Sequence, residues 1–115
     1  MTEDELKERF KRFAINVYAL TAQFPSETAY FKIKDQLIRC SSSAASNYRA
    51  ACRGKSLSDF ISKLGTVEEE IDESVFWLEY TNGVDKKWAP QTEPLIIVSS
   101  IKTAKKRMVK LKSRY

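Results

Sequence analysis

Two sets of side chains have the types and spacing to do chemistry. Gln36, Arg39, Ser43 and Asn47 follow one another at steps of three, four and four, and Glu70, Glu73, Ser74 and Trp77 share a comparable stripe further on. Such steps align residues on one face of an α-helix. A hairpin turning at about Gly54 and Lys55 sets Arg39 level with Glu70, and Gln36 level with Glu73. Two carboxylates one helical turn apart are the raw material of an acid and base pair or of a metal site. With a guanidinium facing them they are more simply a structural ion-pair network, and that is what the pattern predicts.

The rest of the composition argues against catalysis. The chain has no histidine, so the commonest general base and metal ligand are missing and no Ser-His or Cys-His nucleophile can form. It has no Gly-rich phosphate loop either. Cys40 and Cys52 are twelve residues apart on one predicted helix, roughly 18 Å at 1.5 Å per residue, too far to bridge within it. They read as two reduced thiols acting as small apolar residues. The expectation is a protein that is not an enzyme and holds no cofactor or metal.

Four helices are needed to position these groups. Only three Gly and three Pro interrupt 115 residues, which favours a few long helices over many short strands. The first is predicted from about Glu3 to Thr21, with Leu6, Phe10, Phe13, Val17 and Leu20 on its apolar side, and Phe24-Pro25 stops it. Ser26 is the predicted cap of the second, which ends near Cys52, and Gly54 is expected to turn the chain in a left-handed conformation. Tyr30, Ile33, Leu37, Cys40, Ala44, Asn47 and Ala51 form its seam. The middle of that helix, Cys40 to Ser46, is a run of small residues, and it reads as the central helix, kept helical by its neighbours.

The third helix is predicted from Ser56 or Leu57 to about Thr81–Gly83. Gly65 inside it costs about 1 kcal/mol relative to Ala, and the expected compensation is close approach of a neighbouring backbone. VDKKWAP reads as a polar connection, with Thr92 capping a fourth helix whose core side is Ile97, Ile101, Ala104, Met108 and Leu111. Leu95, Ile96 and Val98 make its first half apolar nearly all round, which calls for cover from a second subunit. Short connections make antiparallel neighbours, so the predicted fold is all-α, an up-down-up-down four-helix bundle forming a single domain over residues 1–115. No apolar run approaches the roughly 18 residues of a membrane span and the start is acidic and amphipathic, unlike a signal peptide. A cytoplasmic protein with no membrane partner is expected.

The net charge of +5 comes from one end. Residues 1–100 hold 13 Lys and Arg against 15 Asp and Glu, whereas residues 101–115 hold seven basic residues and no acid. Lys102, Lys105, Lys106, Arg107, Lys110, Lys112 and Arg114 are therefore the candidate contacts to RNA or DNA phosphates, by sequence-independent attraction. Trp88, beside Lys86 and Lys87, and Tyr115 are the exposed aromatics available for stacking on bases. The alternative is a scaffold or adaptor whose partner is another protein.

QLIRCSSSAASNYRAA, SLSDFISKL and EEEIDESVFWLE also resemble, in order and spacing, the bacterial four-helix-bundle family of the 23S rRNA intervening-sequence protein, to which the accessory protein of diversity-generating retroelements is related. The resemblance runs from about Phe24 to Leu78 and rests on Gln36, Arg39, Ser43, Asn47, Tyr48, Asp59, Phe60, Lys63, Leu64, Glu70, Glu73, Trp77 and Leu78. It departs from the commonest family pattern at Cys40, Ser41 and Gly65. The resemblance implies a ring-shaped homopentamer. From the retroelement relative, which binds nucleic acid and a reverse transcriptase, it implies an RNA or DNA partner.

Overall fold

The computed structural model describes residues 2–99 and Val109. They form an all-α bundle of four helices, α1 (Glu3–Thr21), α2 (Thr28–Cys52), α3 (Leu57–Val84) and α4 (Ala89–Val98), with a 3-10 turn, Lys86–Trp88, leading into the last. α2 packs against both α1 and α3, and α4 closes the bundle by touching α3 and α1. The long axis measures 47 Å. The 28 residues of α3 cover roughly 42 Å of it at 1.5 Å per residue.

Local chemistry explains most of the helix limits. α1 starts at a reciprocal cap in which Thr2 Oγ1 accepts from the Glu5 amide and the Glu5 carboxylate accepts from the Thr2 amide. Glu3, Asp4 and Glu5 put negative charge at its positive end. Ser56 Oγ accepts from the Asp59 amide and caps α3, which runs to Val84, just past its predicted end.

α2 differs from expectation at both ends. Ser26 does not cap it: the Glu27 amide donates to the Pro25 carbonyl, closing a turn that makes extended Glu27 the cap residue, one position on. Gly54 is not left-handed. The site is crowded instead, since a Cβ there would lie 2.9 Å from both the Ala51 carbonyl and the Asp59 carboxylate. Gly65 reverses this relation. Apart from its chain neighbours and its own helix backbone, no described atom lies within 4 Å of where its Cβ would be, so the expected close approach of a neighbouring backbone is absent among the described residues.

The small-residue run is buried where α2 is covered from both sides. Cys40, Ser41 and Ala44 are fully buried, and the Ser41 hydroxyl donates to the Leu37 carbonyl at 2.7 Å, which satisfies its buried polar atom inside the helix. Around it Val17, Ile33, Leu37, Tyr48, Phe60, Val67 and Leu78 form a core closed to solvent.

The largest corrections concern the chain after α3. Trp88 is not an exposed stacking residue; it is 5% exposed, and its indole N–H donates to the Tyr30 hydroxyl at 3.1 Å. Phe24 packs edge-on to Trp88 and tilted to Tyr30, both at 5.1 Å between ring centres. With the indole held in the core, the 3-10 turn runs straight into α4 at Ala89, so Thr92 is not a cap but a buried residue inside the helix. Pro90 lies in the first turn, where the missing N–H has no helical partner to lose.

The α4 seam is also displaced. Thr92, Leu95 and Ser99 are buried at steps of three and four, whereas Ile97, a predicted core residue, is 73% exposed. Apolar residues all round this helix hid its inner side, which two small hydroxyl residues hold. Ile101, Ala104, Met108, Leu111, all seven basic residues from Lys102 to Arg114, and Tyr115 lie outside the described residues.

Candidate functional site

The register of the α2–α3 hairpin brings the two predicted stripes together. Arg39 donates through Nη1 to Glu70 Oε2 at 3.3 Å and through Nη2 to Glu73 Oε2, and Nη2 also reaches Gln36 Oε1 at 3.0 Å. The guanidinium fork thus holds one carboxylate with each terminal nitrogen. Arg39 is 47% exposed and Glu70 and Glu73 are 19% and 36% exposed, so the cluster lies along a seam open to water. Neither carboxylate is left uncompensated. Among the described residues no group of three or more His, Cys, Asp or Glu side chains could hold a metal ion.

The other predicted members stand apart from the fork. Asn47 Nδ2 donates to the Ser43 carbonyl at 2.9 Å and to its hydroxyl oxygen at 3.0 Å, a bond confined to α2. Trp77 belongs to an aromatic cluster, with ring centres 5.0 Å from Phe76 and 5.2 Å from Tyr80. Phe76 and Tyr80 are exposed. The predicted stripe is therefore an ion-pair fork, a local amide bond and an aromatic group in sequence along one seam.

Sequence reasoning missed two features. Beneath the fork, the Ser74 hydroxyl lies 3.1 Å from the Cys40 thiol and 2.9 Å from the Glu70 carbonyl, in the closed core. Burial pushes the Cys40 thiol above its usual range, which keeps it protonated and unreactive at neutral pH. The signal was present, because Cys40 and Ser74 adjoin Arg39 and Glu73. At the hairpin turn, the Asp59 carboxylate accepts from Lys63 Nζ at 3.0 Å and from the Lys55 amide at 3.1 Å, and the Lys63 bond first, then the Lys55 amide, hold it below the usual carboxylate range. This clamp fixes the turn that sets the register of Arg39.

A model of the family described as 23S rRNA-intervening sequence protein matches residues 3–96. The chain belongs to this family. The match covers α1, α2, α3 and most of α4, well beyond the Phe24–Leu78 stretch that carries the motifs. No curated protein and no solved structure matches the chain. The Arg39 fork is part of the matched bundle, whereas Lys102 to Arg114 follow the matched region. Among the described residues no helix is long and apolar enough to cross a membrane.

The fork is expected to contribute to stability as a unit. Arg39→Ala should destabilise the protein by about 1 to 2 kcal/mol at low salt, above the roughly 0 to 1 kcal/mol of an exposed pair, because two neighbouring carboxylates lose their shared cation. Adding Glu70→Gln should recover part of that loss in urea unfolding. Strict additivity of the two changes would show that the groups do not act together.

Proposed function

We propose that this member of the family is a non-enzymatic homo-oligomer, a pentamer by the family resemblance, that binds RNA or DNA without sequence preference through the basic residues after α4. The observation that carries the oligomer is the uncovered end of α4, where Ile97 is 73% and Val98 56% exposed. Apolar side chains in such a position contribute about 1.5 to 3 kcal/mol each when a second chain covers them. The sequence resemblance, through which the family is linked to the nucleic-acid-binding accessory protein of diversity-generating retroelements, supports the nucleic-acid partner. Seven cations repeated around a ring give a phosphate-tracking surface.

Sedimentation of the full chain should give a species about five times the 13.2 kDa monomer, and a monomer at micromolar concentration would overturn the oligomer. Changing Lys105, Lys106 and Lys110 to Gln should weaken binding to every RNA or DNA sequence about equally. The log-log dependence of affinity on salt should flatten by roughly 0.7 to 0.9 for each phosphate that is no longer neutralised. Wild-type protein that binds no nucleic acid at ~50 mM salt would remove that half of the reading. A protein scaffold is then the remaining function, and the exposed Phe76 and Tyr80 favour it.

A further inference from the structure

The outward face of α3 carries charge and apolar surface that the bundle does not use. Glu69, Asp72, Phe76 and Glu79 recur at steps of three and four, Tyr80 lies four residues after Phe76, and all five are exposed. Most other carboxylates on this helix have cations: Glu70 and Glu73 share Arg39, and Asp59 holds Lys63. Among the described residues, Glu69, Asp72 and Glu79 pair with none. Three unpaired carboxylates beside two exposed aromatic rings fit a strand of lysines and arginines, whose heads pair with carboxylates while their stems and charge lie against the rings. The chain contains one such segment, residues 101–115, with seven basic residues and no acid.

We propose that this face of α3 is the docking site for the basic segment, residues 101–115, of a second copy of the chain; the proposal rests on the oligomeric reading above. The oligomeric reading supplies the second copy, and isotope mixing separates it from the chain's own segment. α2 occupies the flank of α3 that carries Glu70 and Glu73, and α4 touches α3 and α1. Phe76 and Tyr80 are exposed. Val109, within the segment, packs against the core of its own bundle. A contact between the segment of one copy and the α3 face of the next is head-to-tail, the kind that closes into a ring. Three carboxylates on α3 leave most of the seven cations free for phosphates.

The test uses full-length chains, wild type and charge-reversed. Zero-length carbodiimide coupling of an equal mixture of ordinary and 15N-labelled copies should join Lys102 or Lys112 to Glu69, Asp72 or Glu79 in peptides of mixed isotope. Joins found only within one isotope, or only to other acids, would overturn the proposal. Glu69, Asp72 and Glu79 changed together to Lys should weaken assembly about tenfold at ~50 mM salt, as should Lys102, Arg107 and Lys112 changed to Glu. Combining the two sets should restore assembly. The same reversal of Lys102, Arg107 and Lys112 combined with Glu27→Lys, Asp35→Lys and Glu93→Lys has the same total charge and should not restore it; equal restoration by both combinations would sink the pairing. A monomeric wild type brings down the oligomeric reading as well, whereas an oligomer that shows no specific rescue brings down this proposal alone.

Discussion

Trp88→Ala should cost this protein about 3 to 5 kcal/mol of stability, the range for removing a large buried aromatic side chain. A domain of this size has about 5 to 15 kcal/mol in total. The indole is 5% exposed, packs against Phe24 and Tyr30, and closes the joint between α3 and α4. Removing it opens a cavity at the place where the chain reverses, and leaves the Tyr30 hydroxyl without its donor. Trp88→Phe keeps most of the apolar volume but loses the N–H, so it should fall between wild type and Trp88→Ala. Urea unfolding monitored through the remaining Trp77 gives all three values. Equal midpoints for the three proteins would mean that Trp88 sits in water, as the KKW run suggests when read alone.

That contrast shows what was legible in the sequence. Register was legible because it follows from helix periodicity and one short turn, which together put Arg39 opposite Glu70 and Glu73. Trp88 was misread because its neighbours Lys86 and Lys87 are polar and a three-residue turn has no periodicity to reveal which side chain points inward. In α4 the obstacle was the reverse, apolar residues on every side, so that Thr92 and Ser99 gave no sign of marking the inner face. Gly54 was identified as a turn residue, but for the wrong reason. Its need is space beside Asp59, a neighbour five residues ahead that local conformational preference does not contain. The candidate site was legible in membership and only partly in connection, since Ser43, Asn47 and Trp77 share the seam of the Arg39 fork without bonding to it.

The small-residue run of α2 makes the second large prediction. Ala44 has no exposed surface, lies between the buried residues Cys40 and Tyr48, and sits on the helix that both α1 and α3 cover. Ala44→Leu adds three carbons where nothing can move outward. Overpacking of this kind typically costs about 1 to 3 kcal/mol, felt as off-rotamer side chains or displaced helices. Ala45, the next residue, is only half-buried, so Ala45→Leu serves as a control of equal chemistry and should change the melting temperature far less. For a domain of about this length 1 kcal/mol moves the melting temperature by roughly 4 to 8 °C, well within the resolution of a thermal scan. If Ala44→Leu shifts the melting temperature no more than Ala45→Leu, the run is not the tight centre of the bundle, and the covering of α2 from both sides is wrong.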